Sequence, residues 1–303
     1  MKTTKTNRKM AALVLGLLIS TGLFLACQST GNVRRDSEAV QAFERGDAAF
    51  MQGDFHEAVY EYEWAIEIEP EWAEAFIRLG NAGLLLGREV LDYYSFIDDY
   101  VDAAKIDPRY KDFADASEHY RNENYDLAIE IFNRVIRNNI NLVAAYTLRG
   151  EIYHYVEKNY DMAISDFTEA IRLQPCFYLY LRRAIVYFDK NDNSNALADL
   201  TKSIELSNNS GYDLHNIEAY MMRGTYAAIL GNPHEAIDDF SFIIDIHYDP
   251  PLHTYTNRAF CYLRLGDYNK AMTDINWVLE IDPSNVIAQE AKTEIIFMQF
   301  ISQ

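Results

Sequence analysis

Residues 258–283 have the sequence RAFCYLRLGDYNKAMTDINWVLEIDP, in which small and large side chains recur at fixed spacings. Ala259 is followed twelve residues later by a second small residue, Ala271. Offsets of four, three and five residues then lead to Ile275, Val278 and Pro283. Two helices cross closely only where one side chain is small, and a large neighbour fills the gap beside it. The stretch therefore predicts a pair of closely packed helices.

The same offsets recur elsewhere in the chain. They run through Ala58, Tyr62, Ala65 and Pro70, and again through Ala163, Phe167, Ala170 and Pro175. The pattern resembles the tetratricopeptide repeat, a helix–turn–helix unit of about 34 residues with small side chains where its two helices meet. Seven repeats can be aligned, at 39–72, 73–110, 111–142, 143–176, 177–210, 217–251 and 252–285. We call the first helix of each repeat helix A and the second helix B.

Two repeat positions keep their character in all seven repeats. Position 8 is small: Gly46, Gly80, Ala116, Gly150, Ala184, Gly224 and Ala259. Position 24 is large: Tyr62, Tyr100, Phe132, Phe167, Leu200, Phe240 and Ile275. Because one unit cannot bury its own apolar faces, it stacks on the next. The resemblance implies an all-α, right-handed superhelical solenoid of about seven helix–turn–helix repeats.

The C-terminal end and two of the repeats depart from the regular repeat pattern. Residues 286–303 have helical periodicity and are predicted to form a C-terminal capping helix over the last repeat. Repeat 2 carries extra residues before Pro108, and repeat 3 ends without a proline. Both repeats are therefore expected to be distorted.

The first 38 residues have the composition of a targeting segment. Residues 1–10 carry four positive charges and no acid, and a mainly apolar run from 11 to 26 precedes Cys27. This layout predicts a signal peptide over 1–26, with an ordinary secretory signal or an uncleaved anchor helix as alternatives. The residues before Cys27 resemble a lipobox, which implies lipidation of Cys27 and a polar tether over 27–38. Gln28, by resemblance to Gram-negative lipoproteins, favours the periplasmic face of the outer membrane.

The charge balance and the missing motifs exclude several classes of protein. The chain has 46 acidic and 27 basic residues, a net charge of −19, whereas nucleic-acid binding needs clustered lysine and arginine. It has no HExxH zinc motif, no glycine-rich phosphate loop and no GxSxG nucleophile elbow. Cys176 and Cys261 have no metal-ligand spacing and are predicted to be small packing residues. We therefore expect neither an enzyme nor a bound metal or cofactor.

Arginine and carboxylate recur at matching repeat positions. Position 7 holds Arg45, Arg149, Arg183, Arg223 and Arg258, and position 23 holds Glu61, Asp166, Asp199, Asp239 and Asp274. Paired charges at a constant offset are normally structural. We predict five structural ion pairs, each joining helix A to helix B within one repeat.

The resemblance also implies a binding surface. In the family, helix A lines the concave face of the solenoid, which here we call the groove. The predicted partner-binding residues are Phe43, Asp47, Phe50, Ile77, Arg78, Asn81, Tyr178, Arg182, Phe188, Met221, Met222 and Phe260. Aromatic and methionine side chains are favourable anchors for a peptide or a helix. The lysines and asparagines with which some family members clamp a terminal carboxylate are incomplete here, because Ile77 stands where lysine is needed.

Two functional hypotheses remain open. The first is a lipid-anchored adaptor of the bacterial cell envelope that binds a partner protein or peptide in its groove. The second is a periplasmic component of a solute transporter that binds or passes a small hydrophobic or organic-acid ligand. The oligomeric state, including a homo-oligomer, stays open in both.

Overall fold

A computed structural model describes residues 35–86, 95–209 and 217–301, with the side chains of 208 and 209 left out. The predicted signal peptide and Cys27 lie outside the described residues. In the described ranges, no helix combines the length and the apolar character that crossing a membrane requires.

The described residues are almost entirely helical. They contain fifteen α-helices, one 3-10 turn (Pro108–Tyr110) and no strand. The helices are α1 (Ser37–Gln52), α2 (Phe55–Ile68), α3 (Ala73–Leu86), α4 (Ser95–Ile106), α5 (Lys111–Arg121), α6 (Tyr125–Arg137), α7 (Leu142–Tyr155), α8 (Tyr160–Leu173), α9 (Phe177–Asp189), α10 (Asn193–Asn209), α11 (Ile217–Ile229), α12 (Pro233–Ile246), α13 (Leu252–Arg264), α14 (Tyr268–Ile281) and α15 (Val286–Ile301). The all-α prediction is confirmed.

Six turns between helix A and helix B share one design. Each contains a residue with a left-handed backbone: Gly53, Glu123, Lys158, Asn191, Gly231 and Gly266. An aspartate or asparagine follows each of them, and several of these side chains cap helix B; Asp54, for example, accepts a hydrogen bond from the backbone N–H of Glu57 at 3.0 Å. A side-chain oxygen at this place satisfies one of the unpaired N–H groups at the start of the helix. The turn is therefore short and fixed in direction.

Small residues at position 8 allow helices A and B to approach closely. A Cβ atom added to Gly46 would lie 2.6 Å from Cε1 of Tyr62, and one added to Gly80 would lie 2.5 Å from Cε1 of Tyr100. Both tyrosine rings are fully buried. Glycine at these two positions is thus required by the close packing of the ring that faces it.

The superhelix brings repeats together that are not neighbours in sequence. Residues of repeats 1 and 2 share one apolar core with residues of repeats 4 and 5. Nε2 of Gln174 donates to the backbone oxygen of Phe50 at 3.2 Å, across 124 residues of chain. The rings of Phe55 and Phe177 have their centroids 6.2 Å apart. We call this contact the closure contact.

The C-terminal helix α15 packs on repeat 7. Its Ala288, Ala291 and Ile295 are buried in one cluster with Ala271 and Ile275 of α14. The stack of helices therefore continues with α15, after Pro283, the last proline of the repeat pattern.

Candidate interaction surfaces

The arginines at position 7 form a row of ion pairs between helix A and helix B. The nitrogen–oxygen distances are 2.6 Å for Arg45–Glu61, 2.6 Å for Arg149–Asp166, 2.7 Å for Arg183–Asp199, 2.6 Å for Arg223–Asp239 and 2.8 Å for Arg258–Asp274. Each guanidinium binds its carboxylate through Nε and Nη2, in the bidentate geometry that suits arginine. These ten residues join helix A to helix B.

Four of the arginines have a third partner that the sequence analysis missed. Their Nη1 atoms donate to a polar side chain of the preceding helix B: Asn133 for Arg149, Thr168 for Arg183, Thr201 for Arg223 and Ser241 for Arg258. One guanidinium therefore links three helices, and it connects neighbouring repeats as well as the two helices of its own. Three of its five N–H donors are used inside the fold, one each at Nε, Nη1 and Nη2.

Burial opposes the charged form of these arginines, but the paired carboxylates keep their pKa values high. Burial lowers the pKa of Arg149, but its hydrogen bonds and attraction to Asp166 outweigh this and hold the pKa above its ordinary value. The same attraction to Asp274 outweighs burial in raising the pKa of Arg258. Both guanidinium groups are therefore charged at neutral pH.

Five of the twelve predicted partner-binding residues are buried. Phe50, Ile77, Asn81, Tyr178 and Arg182 each expose less than a tenth of their surface. Their side chains are occupied by packing within the chain, which leaves little of them for a partner. The other seven, Phe43, Asp47, Arg78, Phe188, Met221, Met222 and Phe260, are partly exposed.

In repeats 1 and 2 three predicted groove residues, Phe43, Asp47 and Arg78, contact other side chains of the same two repeats. Nε of Arg78 lies 3.5 Å from Asp47 and 3.4 Å from Glu74. The hydroxyl of Tyr62 donates to Asp47 at 2.8 Å. Phe43 stacks on Trp72 with ring centroids 4.3 Å apart. These three side chains therefore make contacts within the chain while remaining partly exposed.

A buried polar cluster lies between repeats 3, 4 and 5. Glu151, only 2% exposed, accepts hydrogen bonds from the hydroxyls of Tyr120 at 2.5 Å and Tyr178 at 3.0 Å. Nη2 of Arg182 lies 3.1 Å from Glu151, and its guanidinium carbon lies 5.0 Å from the ring centroid of Tyr155. Burial disfavours the charged arginine, but the negative charge of Glu151 outweighs burial and raises its pKa. The cluster joins three helices through one buried charge pair.

The histidine beside this cluster favours its neutral form. His154 is 1% exposed and lies 2.6 Å from Asp189. Burial lowers the pKa of His154 below its ordinary value, although the hydrogen bond to Asp189 opposes the shift. The neutral imidazole therefore acts as a hydrogen-bonding group of the interior.

Repeats 5 to 7 keep apolar side chains partly exposed at the predicted groove positions. Phe188 stacks on Tyr226 with ring centroids 3.5 Å apart and an interplanar angle of 14°. Met221 and Met222 pack partly against the core of repeats 5 and 6, and Phe260 packs against that of repeat 7. Partly exposed aromatic and methionine side chains can still bind an apolar group. This part of the predicted groove retains the composition of a binding surface.

Pairs of helices that stack on one another at a regular repeat length form a helical repeat solenoid. The sequence matches the tetratricopeptide repeat over residues 43–105, 113–175, 177–210 and 254–285, more than half of the chain. The chain belongs to the tetratricopeptide repeat family, whose solenoids are protein-interaction scaffolds and generally not enzymes.

Solved structures share the fold. The C-terminal part of a tetratricopeptide repeat-containing protein from Cytophaga hutchinsonii matches with a TM-score of 0.53 and 21% identity, covering 63% of this chain and 72% of that one. The anaphase-promoting complex hetero-tetramer Cut9–Hcn1 matches with a TM-score of 0.54 and 16% identity, covering 93% of this chain and 52% of that one. This chain thus spans about half the length of the second protein. No curated protein sequence matches it significantly.

Proposed function

We propose that this protein is a lipid-anchored adaptor of the bacterial cell envelope, and that it binds a partner protein or peptide on the groove face of repeats 5 to 7. The partly exposed Phe188, Met221, Met222 and Phe260 carry this proposal. Of the eight other predicted partner-binding residues, which lie in repeats 1 and 2 and at the start of repeat 5, five are buried by contacts within the chain. A preformed surface of this kind binds passively, and an anchor raises its local concentration at the membrane.

The groove assignment is tested by crosslinking and pull-down from cell envelopes. The bait is the full chain, compared with a Met222→Ala, Phe260→Ala variant and with a control, Tyr60→Ala, Met162→Ala. Both control residues are exposed on helix B. We expect one protein to be lost from the groove variant only, and the purified pair to bind at least tenfold more weakly after the groove change. A partner that both variants retain equally would contradict the groove assignment.

The lipid anchor is supported by the basic and apolar residues that precede Cys27. Growth with an alkyne-labelled fatty acid should label the wild-type chain and leave a Cys27→Ala variant unlabelled. Fractionation of the envelope should place the labelled chain with the outer membrane. Labelling that persists in Cys27→Ala would contradict acylation at this residue.

One observation favours the small-molecule alternative. Nε of Arg182 is buried without a hydrogen-bond partner among the described residues, and the rings of Tyr155 and Tyr178 lie within 6 Å of the guanidinium carbon. An organic acid small enough to enter between the side chains that bury Arg182 would place its carboxylate at this nitrogen, beside Glu151, and its apolar part against the rings. Calorimetric titration with hexanoate should show binding that Arg182→Met abolishes. Equal heats for both proteins would reject this alternative.

A further inference from the structure

The last helix of the array occupies the place of a helix A. Val286, the first residue of α15, follows Leu252, the first residue of α13, by one repeat length of 34 residues. Nζ of Lys292 donates to Asn276 of α14 at 2.9 Å, as Nη1 of Arg258, the equivalent residue, donates to Ser241 of α12 at 3.0 Å. The helix α15 thus repeats the contact that helix A of repeats 4 to 7 makes with the preceding helix B.

The opposite side of α15 differs from that of α13. In repeat 7, α14 covers α13: the ring of Tyr255 lies 6.2 Å from that of Trp277, and Nζ of Lys270 lies 5.2 Å from the ring centroid of Tyr262. The residues of α15 one repeat length after Tyr255, Ala259 and Tyr262 are Gln289, Thr293 and Ile296, and all three are exposed. No helix of the described ranges covers them.

Beside the polar Gln289 and Thr293, this uncovered face carries exposed apolar side chains. Val286 is 62% exposed, Ile296 54% and Phe300 78%. Thr293 stands at position 8, where each of the seven repeats has a smaller residue, glycine or alanine. Lys292 stands at position 7, where five of the seven repeats have an arginine paired with a carboxylate of helix B. The face thus has the features of half of a repeat.

We propose that this face docks an amphipathic helix of a partner protein, which adds to the array as the helix B of an eighth repeat. The repeat interface specifies the chemistry of that helix. In α14 the contact is made by Ala271, Ile275 and Val278, with Asp274 on Arg258. The partner helix therefore carries a small residue, a carboxylate three residues later, and large apolar residues four and seven residues later. The carboxylate pairs with Lys292.

A second copy of this chain is a poorer occupant. Each described helix B already packs against the helix A of its own repeat. A second copy of the chain therefore has no helix B available to dock on this face. The proposed surface is also separate from the groove residues, and the two binding reactions can be measured independently.

The test uses a fluorescent peptide of residues 267–285, the chain's own helix B, and the full-length protein. We expect saturable binding by fluorescence anisotropy and at least tenfold weaker binding to Thr293→Arg. The matched control is Thr273→Arg on α14. Both threonines are exposed, and both hydroxyls donate to the carbonyl four residues earlier. The groove variant Phe260→Ala should bind the peptide as the wild type does.

A charge exchange tests the pairing at Lys292. A peptide with Asp274→Lys should bind the wild-type chain at least tenfold more weakly, and the chain variant Lys292→Asp should restore its affinity. Circular dichroism establishes that the variants are folded. Absence of saturable binding, equal loss in the two threonine variants, or failure of the exchange would each overturn the proposal. A wild-type dimer in sedimentation that Thr293→Arg dissociates would assign the face to a second copy and overturn it as well.

Discussion

At the scale of single residues, the arginines of position 7 show how far sequence reasoning extends. The pairing with a carboxylate could be predicted, because the two residues lie 16 or 17 positions apart in five repeats and unlike charges at a constant offset attract. The third partner could not be predicted, because asparagine, threonine or serine can accept the hydrogen bond from Nη1. The accepting residue also lies on a helix of the previous repeat. Only the packing of one repeat on another shows this contact.

Loss of one paired arginine should lower stability strongly. In Arg183→Leu the buried carboxylate of Asp199 loses its partner, and we expect the free energy of unfolding to fall by about 3–5 kcal/mol. The matched control is Lys202→Leu, which removes an exposed ion pair with Glu205 and should cost less than about 1 kcal/mol. Urea denaturation measures both. Similar losses in the two variants would contradict a structural role for Arg183.

A partly buried carboxylate should make stability depend on pH. Burial, together with the charges of Asp102 and Asp98, raises the pKa of Asp99 to about 8 in the folded protein. The unfolded value is about 3.9, so between pH 4 and 8 the folded state holds a proton that the unfolded chain has lost. This contribution to stability is complete below pH 4 and is lost as pH rises through 8.

The variant Asp99→Asn cannot ionise and should be free of this loss. We expect its melting temperature to fall less between pH 5 and pH 8 than that of the wild type, and to exceed the wild-type value at pH 8. Asp126→Asn, an exposed change on α6, should keep the wild-type difference. Identical pH profiles for Asp99→Asn and the wild type would show that Asp99 is ionised in the folded protein.

At the scale of helices, the contact of A with B explains the pattern of small residues. The position of the crossing could be predicted from sequence, because a small residue and a large one recur at the same two places in every repeat. The left-handed residue in the turn could not, since glycine, glutamate, lysine and asparagine all occupy it. The aspartate or asparagine that follows is the more regular sign of this turn.

Two glycines of the same repeat position should respond differently to alanine. In Gly80→Ala the new Cβ would lie 2.5 Å from Tyr100, and overpacking of about 1–3 kcal/mol should exceed the gain of about 1 kcal/mol in helix propensity. In Gly150→Ala the nearest atom is 3.3 Å away, so we expect a change within about 1 kcal/mol of zero. Urea denaturation distinguishes the two. Equal destabilisation would mean that the ring of Tyr100 can move aside.

At the scale of the whole molecule, the closure contact separates this chain from a simple linear array. The solenoid fold could be predicted, because each repeat must bury its faces on its neighbours. The closure contact could not be predicted, because it depends on how far each repeat rotates relative to the one before it. These rotations add up over five repeats, and repeats 2 and 3 are irregular. The consequence for the site is direct: Phe50 and Tyr178 were predicted to face a partner and are buried.

Weakening the closure contact should loosen the first repeat selectively. Gln174→Ala removes the buried hydrogen bond to Phe50, at a cost of about 1–3 kcal/mol. Hydrogen exchange should then quicken in α1 and α2, while α12 to α14 keep their protection. Gln289→Ala is the control, because its amide donates to the nearby carbonyl of Pro283. Uniform loss of protection along the chain would contradict a local role.

The closure contact also determines how the chain yields to a pulling force. In an open array each repeat holds only its neighbours, so tension would detach the repeats one at a time. Here the bond between Gln174 and Phe50 spans 124 residues, and a pull applied at the N-terminal end must first shear it. Repeats 1 to 5 should therefore resist as one body and then release a long segment in a single step. Repeats 6 and 7 lie outside that loop and should extend at lower force.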